Sequence, residues 1–169
     1  MTVGLSLEAC SLSAAQTRAL AAGLAALLVP TDVVLLSGDL GAGKTTFAQG
    51  LARGLGVAEE VTSPTFTLVR SYDGCWPDGR PMRLLHADVY RLEHLQEVLD
   101  LGLAELVEEN AAAVVEWGEA AVPALAPDYL QIDLSFGSGD DHRRLRARLV
   151  GPRWEARRTA VARALGAEA

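Results

Sequence analysis

Cysteine, lysine, asparagine and long apolar runs are all scarce in this chain of 169 residues. The two cysteines, Cys10 and Cys75, form neither a disulfide framework nor a metal-ligand spacing, which favours a reducing compartment. The longest apolar run, residues 19–30, is too short to cross a bilayer. The first residues also lack a basic segment followed by an apolar stretch, so no secretory signal is recognisable. We therefore expect a cytoplasmic protein without a membrane segment.

Length and charge predict one globular domain with a basic C-terminal end. Half of the residues are hydrophobic, and a chain of this length usually folds as a single domain, here residues 1–169. The net charge of -7 argues against non-specific binding to nucleic acid. The predicted strand and helix from about residue 143 onward, however, hold eight arginines against Glu155 and Glu168. This end is a candidate contact site, and a solvated surface is the alternative.

The only lysine, Lys44, lies in a glycine-rich motif. Residues 38–45 read GDLGAGKT and match the pattern G-x-x-x-x-G-K-[S/T], a loop that wraps around nucleotide phosphates. Its glycines direct several backbone N–H groups at one anion, the ammonium neutralises the terminal phosphates, and the Thr45 hydroxyl reaches magnesium. An accidental glycine-rich turn is the alternative, which the flanking strand and helix disfavour. The predicted phosphate-binding residues are Gly38, Asp39, Leu40, Gly41, Ala42, Gly43, Lys44, Thr45 and Thr46.

Hydrophobic periodicity and turn residues predict strands and helices in alternation. A capping box at Ser13 begins a helix that Pro30 ends, and a buried strand at Val33–Leu36 leads through the glycine loop into a helix at Thr45–Leu55. Further strands are predicted at 66–72, 82–88, 112–116, 130–134 and 144–150, with a hairpin around residues 73–81, acidic helices within 93–109 that break near Gly102, and a terminal helix at 153–165. The fold class is a single three-layer α/β P-loop NTPase domain with a mixed central sheet.

Two apolar strands end in carboxylates, Asp88 and Glu116, that are candidates for the chemistry of a triphosphate site. Ligands of open α/β sheets collect beyond the carboxyl ends of the strands, so both acids can face the phosphates. Glu116 is the candidate magnesium ligand, and Asp88 is the candidate for orienting the attacking water. His86 lies on the same strand face as Asp88. The alternatives are solvated acids at strand ends and a histidine that only packs.

A short segment after the second helix is a candidate switch. Ser63, Pro64 and Thr65 place two hydroxyls where they can sense a terminal phosphate. A plain turn is the alternative, and the residues alone favour it.

Taken together, four segments carry a resemblance to a known family. They are GDLGAGKTT at 38–46, SPTFTLV at 63–69, HADVYRL at 86–92 and VEW at 115–117. Their combination and order resemble the TsaE (YjeE) family, bacterial ATPases of tRNA threonylcarbamoyladenosine modification. The resemblance covers about residues 10–150. The stretch 73–80 looks longer than usual for the family, and residues 152–169 are not covered.

The resemblance implies a function and a set of roles. It implies hydrolysis of ATP with Mg²⁺ and partners of the TsaB and TsaD type, with tRNA reached through the complex. It further implies that hydrolysis resets that complex between turnovers rather than making the modification. By position, Thr45 and Glu116 hold magnesium, Asp88 and Lys44 support hydrolysis, and Trp117 lies beside the nucleotide.

Other functions remain open from the residues themselves. A small-molecule kinase shares the loop but usually carries an arginine-bearing lid, whereas the segment after Arg91 is acidic. A GTPase is disfavoured, because the only asparagine, Asn110, is not part of a guanine-reading motif. A binding module that uses ATP as a conformational ligand without significant turnover is the alternative of another class.

Overall fold

The protein is built on one mixed sheet of seven strands, in the order β1-β7-β6-β2-β5-β4-β3. The structure, a computed structural model, describes residues 5–64, 68–90, 92–108, 110–119, 122 and 126–168. The strands are β1 Ser6–Ser11, β2 Val33–Ser37, β3 Val69–Cys75, β4 Pro81–Asp88, β5 Ala111–Glu116, β6 Tyr129–Phe136 and β7 Arg143–Val150. The helices in these residues are α1 Ala14–Ala25, α2 Lys44–Gly54, α3 Leu95–Asp100, α4 Leu103–Val107, α5 Pro152–Glu155 and α6 Arg158–Leu165.

The four central strands, β6, β2, β5 and β4, are parallel, and the outer strands are antiparallel to their neighbours. Every residue of β2 and β5 is buried, as their unbroken apolar runs predict for strands covered on both faces. The carboxyl ends of the parallel strands therefore lie at one edge of the sheet, where the glycine loop follows β2.

Helices cover the sheet on both sides, which confirms the three-layer α/β class. On one face, Leu24 of α1 and Phe47 of α2 join a core with Val34 and Leu36 of β2. On the other face, α3 and α4 contribute Val98, Leu103 and Val107 to a core with Val33, Leu35 and Leu85. Successive side chains of β2 thus point into different cores, because side chains alternate along a strand.

The predicted elements are present, with shifted ends. Helix α1 begins after Ser13, whose hydroxyl accepts a hydrogen bond from the Gln16 N–H at 3.0 Å, but it ends at Ala25, before Pro30. The hairpin around residues 73–81 is confirmed, since β3 and β4 pair in antiparallel register up to Cys75 and Pro81. Strand β3 begins at Val69, and residues 66–67 of the predicted strand lie outside the described residues.

Strand β1 was not predicted, and the C-terminal helix was predicted as one continuous element. Strand β1 alternates buried and exposed residues over six positions and pairs with β7 at the sheet edge. The predicted helix at 153–165 is divided into α5 and α6, with Arg157 between them at φ -98° and ψ 8°.

Most of the arginine-rich end is engaged within the fold. Arg157 donates to both carboxylate oxygens of buried Asp32, at 2.7 and 3.0 Å, and its guanidinium lies 3.7 Å from the ring centre of Trp154. On β7, Arg146 pairs with Glu8 at 3.3 Å and Arg148 with Asp133 at 3.2 Å. These contacts favour the solvated or structural interpretation of the segment. Arg143 differs from these arginines because its contacts include the glycine loop of the candidate site.

No helix in the described part of the chain is long and apolar enough to cross a membrane.

Candidate nucleotide-binding site

The glycine loop between β2 and α2 has a backbone shape that depends on its glycines. Gly38, Gly41 and Gly43 have φ angles of 137°, 80° and 107°, a region that side chains with a Cβ rarely adopt. At Gly38 a Cβ would lie 2.2 Å from the carbonyl oxygen of Leu134 on β6, so only glycine fits. The loop therefore curves tightly against the end of β6, and its last residue, Gly43, lies at the N-terminus of α2. A helix N-terminus stabilises a bound anion.

Lys44 is the first residue of α2, and its side chain turns back over the loop. Its Nζ donates to the carbonyls of Gly38 at 2.6 Å and Asp39 at 3.0 Å, and it lies 3.8 Å from the ring centre of Trp117. The side chain is buried, with 5% of its surface exposed. Burial lowers the pKa of the Lys44 ammonium, and the carboxylates of Glu116, Glu119, Asp88 and Asp39 oppose that shift. The site therefore holds a desolvated cation that a bound anion would stabilise.

Glu116 lies at the end of β5 and faces the start of α2. The Thr45 hydroxyl donates to its two carboxylate oxygens, at 3.1 and 3.4 Å. On the other side, Nε2 of His86 lies 2.5 Å from Oε2 of Glu116, and His86 has no exposed surface. A buried carboxylate beside a hydroxyl provides two of the oxygen ligands that magnesium prefers, so these residues fit the ion. Glu116 is only 2% exposed, which rules out the alternative of a solvated acid.

Asp88 is opposite Glu116 in the register of β4 and β5, so the two predicted acids are neighbours. Its Oδ1 accepts a hydrogen bond from the Tyr90 N–H at 3.0 Å, and its Oδ2 accepts one from the Ser63 hydroxyl at 3.1 Å. Asp88 is 5% exposed, so it is also held inside the protein rather than in solvent. The candidate switch thus touches the candidate water-orienting acid through Ser63. Pro64 is buried next to it, and Thr65 lies outside the described residues.

These side chains line one cleft of about 490 Å³. Of the predicted residues, the structure places Leu40, Gly41, Gly43, Lys44, Thr45, Thr46, Ser63, Asp88, Glu116 and Trp117 along it. Gly38, Asp39 and Ala42 form the loop behind the cleft and contribute carbonyls to the contacts of Lys44 and Arg143.

Two further residues at the site were not singled out from the sequence. The Tyr90 ring packs on Trp117 with ring centroids 4.8 Å apart, and Trp117 has a φ of 64°, which is uncommon for a bulky residue. Tyr90 follows Asp88 by two positions, a spacing that could have drawn attention to it.

The second residue is Arg143, which donates through Nε to the Ala42 carbonyl at 3.0 Å and through an Nη atom to the Gly41 carbonyl at 3.4 Å. It was one of eight arginines in the basic end, and nothing in the sequence distinguished it.

The parallel strands, the glycine loop after β2 and the lysine at the start of α2 define an α/β protein of the P-loop NTPase type. A model of a protein family described as threonylcarbamoyl adenosine biosynthesis protein TsaE matches residues 11–145. The chain therefore belongs to the TsaE family, which confirms the resemblance seen in the sequence.

Individual relatives agree with this assignment. The tRNA threonylcarbamoyladenosine biosynthesis protein TsaE of Bacillus subtilis (strain 168) is 44% identical over 141 residues, which cover 83% of this chain and 84% of that protein. The protein of the same name from Streptomyces coelicolor is 45% identical over 141 residues, or 81% of this chain and 93% of that protein. The crystal structure of Bacillus subtilis YdiB matches with a TM-score of 0.79 and 35% identity, over 96% of this chain and 98% of that one.

Proposed function

We propose that this protein is a Mg²⁺-dependent ATPase that supports threonylcarbamoyladenosine modification of tRNA. In this proposal it acts with partner proteins of the TsaB and TsaD type, and ATP hydrolysis resets their complex between turnovers. One observation carries the enzymatic part: the phosphate-loop lysine, a hydroxyl paired with a buried carboxylate, and a second buried carboxylate line the same cleft. Membership of the TsaE family supports the pathway and the partners.

The phosphate-binding half of the site is the loop and Lys44. Backbone N–H groups of the loop and the N-terminus of α2 attract the phosphates, and the ammonium approaches their terminal oxygens. Two of the three N–H groups of Lys44 are used by the carbonyls of Gly38 and Asp39, which fix the ammonium over the loop. Such a fixed charge stabilises the negative charge on the transferred phosphoryl group without rearranging.

The metal-binding half is Thr45 with Glu116. Magnesium bound there supplies positive charge that neutralises the phosphate oxygens during transfer. The Thr45 hydroxyl donates to Glu116, and its oxygen keeps two lone pairs, so Thr45 could hold the ion without giving up this hydrogen bond. His86 holds Glu116 from inside the core and restricts where its carboxylate can point.

Asp88 is the residue that we assign to the attacking water. Its carboxylate accepts hydrogen bonds from Ser63 and from the Tyr90 N–H, which fix its position. An ionised carboxylate acts only as a hydrogen-bond acceptor, which is the property that orients a water for attack. The position of Ser63 therefore affects Asp88 directly. Partner proteins that shift Ser63 would change turnover, so we expect hydrolysis by the protein alone to be slow.

The test is release of phosphate from ATP by the protein alone and by the complex reconstituted with its TsaB- and TsaD-type partners. We expect magnesium-dependent turnover that rises with the partners, and an Asp88→Asn variant that binds ATP normally but loses turnover. Asp100→Asn, which changes an exposed acid of α3, is the matched control. Tight ATP binding with no turnover in either sample would refute the ATPase and establish a binding module instead.

A further inference from the structure

The two acids assigned to the terminal phosphate and the metal lie on one side of β2, which leaves the other side of β2 for the nucleoside end of a bound nucleotide. The residues that face the terminal phosphate and the metal, Asp88 and Glu116, end β4 and β5 on one side of it. On the other side, β2 pairs with β6, which is followed by β7. A nucleotide whose last phosphate points toward β5 therefore extends its base toward the turn between β6 and β7.

An exposed aromatic ring lies at that turn. Phe136 is the last residue of β6, and 52% of its surface is exposed, whereas Leu130, Ile132 and Leu134 of the same strand are buried. Its ring reaches the phosphate loop, because its Cζ atom lies 4.0 Å from the point where a Cβ on Gly41 would be. The hydrophobic core does not require this ring, since it belongs to neither core cluster.

Arg143 fixes the ring and the loop relative to each other. It is the partner of Phe136 in the β6–β7 register, and its guanidinium lies 4.8 Å from the ring centre. The same guanidinium donates to Ala42 and Gly41 of the phosphate loop and to the carbonyls of Asp140 and His142 in the turn, both at 2.8 Å. One side chain therefore ties the phosphate loop to the β6–β7 turn.

We propose that the base of the bound nucleotide stacks on the exposed ring of Phe136, and that Arg143 is the positioning residue that holds this ring beside the phosphate loop. The inference rests on the proposed binding of ATP and adds the site of its base. An aromatic ring gives affinity for a planar base through stacking, and a cation on its other face leaves that stacking surface in a fixed orientation.

The test compares ATP with tripolyphosphate, which has the phosphates but no base. Because a base that stacks on an aromatic side chain gains affinity, Phe136→Ala should weaken ATP binding about 5- to 150-fold, which corresponds to about 1–3 kcal/mol. Tripolyphosphate binding should not change. Phe136→Tyr, which keeps the ring, should restore ATP affinity, and Leu12→Ala, which removes another exposed apolar side chain, is the control. Both ligands are measured by calorimetry with magnesium present.

Three results would overturn the inference. ATP affinity that is unchanged in Phe136→Ala means that the base lies elsewhere, and an equal loss for ATP and tripolyphosphate means that the ring only supports the loop. Labelling by 8-azido-ATP outside residues 136–143 would contradict it independently of any variant. If the unaltered protein binds neither ligand, the proposed ATPase fails as well, so the two failures are distinguishable.

The role of Arg143 has its own comparison. Arg143→Ala should lower the affinity for ATP more than that for tripolyphosphate, because the ring loses its fixed position. Arg146→Ala, which removes a neighbouring arginine that pairs with Glu8 instead, should change neither. Equal losses for the two ligands in Arg143→Ala would show that it only braces the loop and would remove it from the proposal.

Discussion

Removing the ammonium of Lys44 should weaken nucleotide binding strongly and lower the stability of the fold much less. We choose Lys44→Met, because methionine keeps an unbranched apolar stem of similar length but lacks the charged ammonium and its N–H donors. A hydrogen bond to a charged group contributes about 1.5–3 kcal/mol, and 1.4 kcal/mol is a tenfold change in affinity, so ATP binding should weaken about 10- to 100-fold. The free energy of unfolding should fall by less than the free energy of ATP binding, because burial lowers the pKa of the Lys44 ammonium and so already penalises the charged form in the folded protein.

The assay is calorimetry with a non-hydrolysable ATP analogue and magnesium, together with urea unfolding of the same samples. Arg53→Met is the matched control, since Arg53 is an exposed cation of the same helix and is remote from the loop carbonyls. Unchanged affinity in Lys44→Met would refute the assignment of the phosphate site. If the free energy of unfolding fell by as much as the free energy of ATP binding, the conclusion that burial penalises the charged form of Lys44 would be refuted.

Three further outcomes follow from the geometry. Glu116→Gln should abolish the gain in ATP affinity that magnesium provides, and affinity in the presence of EDTA should stay unchanged in fluorescent-nucleotide titrations. ATP affinity should fall as the pH rises toward the pKa of Lys44, which lies below 10.5, because the neutral amine no longer attracts phosphate; Lys44→Arg should show no such fall over this range. Asp32→Ala should lower the free energy of unfolding by about 3 kcal/mol in urea, because it leaves Arg157 without its buried partner, whereas Glu8→Ala at an exposed pair should cost less than about 1 kcal/mol. If Asp32→Ala and Glu8→Ala lowered the free energy of unfolding equally, the conclusion that the Asp32–Arg157 pair is the more buried of the two would be contradicted.

The phosphate loop and its neighbouring elements could be predicted because their signals are local. The spacing of Gly38, Gly43 and Lys44 follows from what a phosphate-binding backbone requires. The sequence of β2 is a short apolar run followed by a turn, a pattern that indicates a buried strand. The assignment of Asp88 and Glu116 also succeeded in placing them together, because both end parallel strands. Their roles in catalysis and metal binding remain predictions.

The remaining features depend on contacts between distant parts of the chain. Strand β1 was missed because its six residues include three polar ones, and its pairing with β7 involves residues about 140 positions away. Arg143 and Phe136 meet the phosphate loop because β6 lies beside β2, an order that no local pattern specifies. The burial of Glu116 likewise depends on His86 of the adjacent strand, which sequence reasoning placed on the right strand face without identifying its partner.

The contact between His86 and Glu116 means that the proposed metal ligand is held from the interior of the protein rather than from its surface. The buried His86 contacts one carboxylate oxygen of Glu116. Changes in the packing of the sheet interior can therefore move this carboxylate and alter its affinity for an ion. Substitutions among apolar neighbours of β4 and β5 should accordingly be judged by ion affinity as well as by melting temperature.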